Sequence, residues 1–164
     1  MNKLLAIDLG VKTGLALYNQ DCKLEWYRSK NFGSKNSLNK ALYSLLKTVE
    51  NLEFLIIEGG GDLFTIWEKQ AKKQGIKVIQ IQAHVWRKEL LLQREQRNGQ
   101  QAKRYAIQIA NEVIKHTSGK KATSLSDDAA EAILTGYWAL SEVNWLNTSN
   151  SLFKIKDKTQ AYFF

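Results

Sequence analysis

Two of the most apolar stretches in the chain each carry a carboxylate: Asp8 sits inside LLAIDLG, and Glu58 closes FLIIEGGG. An ionised acid within or at the end of a core strand is costly unless a partner or a cation compensates it. A third acidic signal, Asp128 with Glu131, opens the otherwise apolar segment DDAAEAILTGYWALSEV. Their spacing of three puts both on one helix face, where they can aim at one point, although acids in a first turn also suit the helix dipole. Four converging anions repel one another unless divalent cations neutralise them. The chain has one cysteine, Cys22, and two isolated histidines, His84 and His116. Disulfide frameworks and zinc sites built on paired cysteines are thereby excluded, and metal chemistry points to carboxylates with hard cations such as Mg²⁺ or Mn²⁺.

The segments around these acids read as an α/β fold. Residues 3–9 and 13–19 are short apolar runs separated by the turn-prone Gly10 and Lys12, a β-hairpin, and 23–30 adds a third antiparallel strand. Apolar residues at spacings of three and four predict a helix over 37–50 with Asn36 or Ser37 as N-cap. A fourth strand ends at Glu58, a helix spans 62–73, and IKVIQIQ at 76–82 is a fifth strand. Strand, helix, strand implies a parallel pair, so three antiparallel strands continue into parallel ones. Glycines 59, 60 and 61 match no nucleotide-loop pattern and read either as a close backbone approach to substrate or as loop flexibility. Residues 84–92 form a helical turn or short helix, QREQRNGQQ is its least ordered continuation, and a basic helix follows over 100–116. Ser126 is placed to cap the last apolar helix. Residues 147–164 have no clear period and read as a docked tail, a partner-binding strand or disorder.

A chain of 164 residues, 44% hydrophobic and 24% charged, without a proline or an internal repeat, is expected to form one domain over 1–146 with a C-terminal tail over 147–164. No run approaches the roughly 18 apolar residues of a membrane span, and MNKLLAIDLG reaches an acid too early for a secretory signal, so a cytosolic protein is expected. The formal charge is +8, from 24 Lys and Arg against 16 Asp and Glu. Residues 84–121 hold nine of those bases against three Glu, which concentrates six of the eight net charges there. Such a patch favours a phosphate backbone through counterion release.

With AIDLGVKTGLAL, LIIEGGG and SDDAAEAILTGY assembled, the chain resembles the RuvC-like Holliday-junction resolvases of the ribonuclease H-like superfamily, particularly the compact bacterial, phage and chloroplast members. The resemblance covers residues 3–143. It rests on D-x-G-x-x-x-G, here Asp8, Gly10 and Gly14, and on D-A-A-E-A at 128–132. Leu9 stands where many relatives have proline, and the last acid is Glu where RuvC itself has Asp; neither departure removes a metal ligand. Asp127 leaves a one-residue ambiguity in register, and Asp128 is chosen because it pairs with Glu131 across two alanines.

The resemblance implies a ribonuclease H-like fold in which Asp8, Glu58, Asp128 and Glu131 hold two Mg²⁺ ions, with Mn²⁺ as a substitute. It further implies that Lys103 supports catalysis, and that Lys12, Arg87, Lys88, Arg94, Arg97, Lys103 and Arg104 contact nucleic acid. Phe64 or Trp67 is the candidate wedge at a junction. The implied activity is hydrolysis of a four-way DNA junction in recombination and repair, by a twofold homodimer close to the nucleoid, leaving 5′-phosphate and 3′-hydroxyl ends. Alternatives are an RNA-processing nuclease of the RuvX/YqgF type, against which DAAEA argues, and a non-catalytic junction binder, against which the complete set of acids argues. The shared fold core also occurs in sugar-kinase and actin-like ATPases, but this chain is too short for their second lobe.

Overall fold

The computed structural model describes residues 1–153 apart from 97, 121 and 123. Five strands, β1 (Lys3–Asp8), β2 (Thr13–Asn19), β3 (Leu24–Lys30), β4 (Leu52–Glu58) and β5 (Lys77–Ile81), form one sheet in the order β3-β2-β1-β4-β5. The β1–β2 and β2–β3 pairs are antiparallel and the β4–β5 pair is parallel, as the segment pattern predicts, and β1 pairs with β4 in parallel at the centre of the sheet.

Period-two side-chain alternation in the central strands feeds two separate cores. Leu4, Ala6, Ala16, Tyr18 and Ile56 face α3 (Ala83–Leu90), α4 (Gly99–Ser118) and α5 (Asp127–Glu142). Leu5, Ile7, Leu15, Leu17, Leu55 and Ile57 face α1 (Lys35–Thr48) and α2 (Gly61–Lys73). Because both faces are covered, β1 and β4 are apolar on both, and their acids stand out at the strand ends.

α5 lies directly over β1 and β2, and residues 129–140 of this helix are all buried. Tyr18 donates its hydroxyl to the carbonyl of Ile133 at 2.8 Å, tying β2 to α5 inside the core. Tyr18→Phe is expected to lower stability by about 1 kcal/mol, read as a drop in the urea midpoint at constant slope.

Several local expectations are corrected. α1 begins at Lys35, and its cap is Ser34, whose extended backbone lets the side chain accept from the Ser37 amide at 3.2 Å; Asn36 and Ser37 lie inside the helix. Ser126 occupies the cap position of α5, but its side chain makes no capping bond. Gln93–Gln96 forms a 3-10 turn, and Asn98 caps α4 by accepting from the Gln101 amide at 2.8 Å. Of the tail, Leu152 donates its amide to the Tyr137 hydroxyl and Phe153 meets the Tyr137 ring edge-on, so the segment up to 153 docks on α5. Residues 154–164 lie outside the described residues. Among the described residues no helix is long and apolar enough to cross a membrane.

Candidate metal centre

The parallel pairing of β1 with β4 sets Asp8 directly opposite Glu58 at the carboxyl ends of the two strands. Strand parity puts both on the face toward α5, since Asp8 follows Leu4 and Ala6, and Glu58 follows Ile56. α5 runs its first turns across that end and delivers Glu131. Asp8, Glu58 and Glu131 each offer a carboxylate oxygen within 4.8 Å of those of the other two. Glu58 and Glu131 are buried, and Asp8 is half-buried.

Asp128, three residues before Glu131, lies outside this triple but close enough to disfavour the charge on Asp8. Its Oδ2 is buried and has no hydrogen-bond partner among the described residues. Asp127 turns outward instead, to Lys103 Nζ at 3.7 Å, with both side chains about half exposed.

The electrostatics record the crowding. Burial, then the charges of Glu58, Glu131 and Asp128, push the Asp8 pKa from 3.8 up to about 8, against a smaller opposing pull from Arg87. Burial likewise raises Glu58, with Glu131 adding to the rise, while hydrogen bonds from Trp86 and Thr135 draw it back. A hard all-oxygen donor set, crowded enough to hold a proton near neutral pH and containing a buried oxygen without a donor, fits a divalent cation.

Three neighbours of the acids were not singled out for these contacts by the sequence. Trp86 Nε1 donates to Glu58 Oε2 at 2.6 Å, and Thr135 Oγ1 donates to the same oxygen at 2.9 Å. Arg87, expected on nucleic acid, bonds Glu131 Oε1 through Nη2 at 2.7 Å. A tryptophan in α3 and a threonine in the apolar α5 carry no signal of this in the sequence, because the residue they serve is 28 and 77 positions away.

Lys12, Lys88, Arg94, Lys103 and Arg104 are exposed, while Arg97 lies outside the described residues. Phe64 is half-buried against the α1–α2 core. Trp67 is fully buried and meets Phe32 edge-on at 6.1 Å, which removes it as a wedge: a ring with no exposed surface has no face to offer a base. Gly59 has φ +116°, a conformation L side chains rarely adopt, so this glycine is needed for the turn that leaves β4 beside Glu58.

No family model and no curated protein matches the chain. Solved structures do. RuvC of Thermus thermophilus in complex with a Holliday junction substrate is 11% identical, with a TM-score of 0.63, and the match covers 88% of this chain and 98% of that one. The fowlpox virus resolvase in complex with its substrate Holliday junction DNA is 15% identical, with a TM-score of 0.67, over 86% and 98%. The fold is that of the RuvC-like resolvases. In this RuvC-like fold the mixed sheet, the paired ends of β1 and β4 and the helix crossing them account for the acidic cluster without any long loop.

Proposed function

We propose that the chain is a structure-selective endonuclease that resolves four-way DNA junctions by two-metal-ion phosphodiester hydrolysis, in recombination and repair. The observation that carries this reading is the convergence of Asp8, Glu58 and Glu131, with Asp128 beside them, in a RuvC-like fold. A protein that only bound DNA would gain nothing from anions gathered where a phosphate must approach.

Asp8, Glu58 and the Asp128–Glu131 pair would hold two Mg²⁺ or Mn²⁺ ions between them. Bound there, divalent cations activate a water, neutralise charge in the transition state and stabilise the leaving alkoxide. The protein's own part is to fix the acids on rigid strand ends and one helix, and to bring cations to the substrate. Lys103, tethered by Asp127 next to Asp128, adds positive charge at the phosphate. Lys12, Lys88, Arg94 and Arg104, with Arg97, position the duplex arms through phosphate contacts, and Arg87 does so once released from Glu131. Phe64 is the remaining wedge candidate. A twofold homodimer, with α2 as a contact surface, would match the two symmetry-related strands of a junction. The products are 5′-phosphate and 3′-hydroxyl ends.

The test is incubation with a synthetic four-way junction, a matched duplex and a hairpin RNA, each with Mg²⁺ and with Mn²⁺. Symmetric cuts confined to the junction support the reading. Cleavage of the RNA alone turns it to RNA processing, and junction binding without cleavage in either ion turns it to an architectural role. A further expectation concerns affinity: Lys88→Ala and Arg104→Ala should each weaken junction binding uniformly across sequences and reduce the salt slope by about 1. Fluorescence anisotropy over a salt series measures it, and an unchanged slope removes that residue from the DNA surface.

A further inference from the structure

Glu58 is held differently from the other acids. Among the described residues both hydrogen bonds to its carboxylate fall on one oxygen: Trp86 Nε1 and Thr135 Oγ1 converge on Oε2 at 2.6 and 2.9 Å. None of the described residues donates to Oε1. The two donors come from different elements, Trp86 from α3 and Thr135 from α5, and both are fully buried, so packing locks their rotamers. Thr135 lies four residues after Glu131, on the same face of α5. One helix face therefore supplies both an acid of the cluster and the support for a second acid from β4.

The chemistry of the donors also differs from that at Glu131. Glu131 is met by the charged guanidinium of Arg87, which competes with any cation for the carboxylate. Indole N–H and hydroxyl are neutral, so they orient Glu58 without cancelling its charge, and the indole has no acceptor with which to bind a metal itself. Outer partners of this kind fix the direction of a ligand's lone pairs and are reflected in metal affinity.

We infer that Trp86 and Thr135 are positioning residues that pin Glu58 by Oε2 and present Oε1 as its single ligand atom to the divalent cation. This rests on the metal reading proposed above. Two donors already occupying Oε2 disfavour a bidentate carboxylate, so Glu58 spends one coordination position and leaves others for water and phosphate.

The experiment titrates Mn²⁺ alone, without DNA, into chelator-treated protein by calorimetry, comparing the parent with Trp86→Phe, Thr135→Val and Thr135→Ser. Trp86→Phe keeps a buried ring without its N–H, Thr135→Val keeps the volume without the hydroxyl, and Thr135→Ser restores it. Mn²⁺ affinity should fall by about 10- to 100-fold in the Phe and Val variants, and Thr135→Ser should recover most of it. Junction cleavage in the same variants should regain its rate at high Mn²⁺, a shift in metal requirement more than in turnover. Parent-like Mn²⁺ affinity in both Phe and Val variants would overturn the inference, as would a loss that Thr135→Ser does not recover, since that marks packing. If the parent binds no Mn²⁺, the metal reading itself fails and takes this inference with it. Should Thr135→Val not fold, Trp86→Phe decides the matter alone.

Discussion

Asp8→Asn is expected to lower junction cleavage by about three orders of magnitude or more, since the metal contribution it removes amounts to several kcal/mol at about 1.4 kcal/mol per tenfold, while raising the thermal stability of the cation-free protein. The two effects have one cause. Asp8 is pushed up to about 8 by burial and by Glu58, Glu131 and Asp128, so holding it ionised at neutral pH works against folding. An acid whose pKa rises from 3.8 unfolded to about 8 folded binds more protons in the native state throughout that interval. Stability of the metal-free parent is therefore highest below pH 4 as far as this group is concerned, and declines as pH climbs toward 8. Asparagine keeps the shape without the charge, recovering on the order of a few kcal/mol at pH 8. At about 2–4 °C per kcal/mol for a chain of this size, that is a rise in melting temperature of about 5–10 °C.

Differential scanning in chelator at pH 5, 6.5 and 8 checks the slope. Added Mn²⁺ or Mg²⁺ should stabilise the parent most at pH 8, the highest of the three and the one at which Asp8 gives up its proton most readily, and should do much less for Asp8→Asn. A variant that melts below the parent at pH 8, or that still cuts junctions at the parent's rate, removes Asp8 from the centre of the cluster. Unaltered junction affinity in the variant separates lost chemistry from lost binding.

Gly14→Ala is expected to be the most damaging single methyl in the protein. A Cβ at position 14 would stand 1.9 Å from the Asp128 carbonyl oxygen and 2.4 Å from its carbonyl carbon. Both obstacles are backbone atoms of Asp128 at the start of α5, and Gly14 itself is fixed in the central strand β2, so no side-chain rotation relieves them. The helix must lift, opening the core beneath residues 129–140 and carrying Asp128 and Glu131 away from Asp8 and Glu58. Overpacking against rigid backbone lies at the upper end of its usual range, about 3 kcal/mol or more, and Mn²⁺ binding should be lost with it. Urea unfolding and Mn²⁺ titration measure the two effects, with Gly99→Ala as a control because a Cβ there meets nothing within 4 Å. A Gly14→Ala protein with parent-like stability would mean that α5 does not rest on β2 as described.

This close approach gives a physical reason for the glycine pattern after Asp8. In the sequence Gly14 is a spacing in D-x-G-x-x-x-G; in the fold it is the point where the helix bearing two of the acids touches the strand next to the one bearing the first. The five strands, the antiparallel run of the first three, the parallel pairing of β4 with β5 and the helices between them were legible, since period-two and three-to-four spacings and short connections are local properties of the chain. Ser34 was missed as the cap of α1 because Asn36 and Ser37 are equally good capping residues, and only the backbone turn selects among them. Trp67 was open as a wedge because an aromatic at helical spacing reads the same whether its ring meets solvent or Phe32.

For the cluster itself the division is similar. Asp128 and Glu131 were legible as a pair from their spacing of three, and Asp8 and Glu58 as anomalies from the apolar runs around them. That the last two stand side by side depends on β1 pairing with β4 in parallel register, across 49 intervening residues. The support of Glu58 by Trp86 and Thr135, and the pairing of Arg87 with Glu131, depend on two helices converging over that strand end. Sequence alone determines what is set by spacing along one strand or helix, because the backbone's repeat dictates which neighbours share a face. Contacts between elements were decided only by tertiary packing, since the burial that drives it is non-directional and leaves no periodic trace of which hydrogen-bond donor meets which acid.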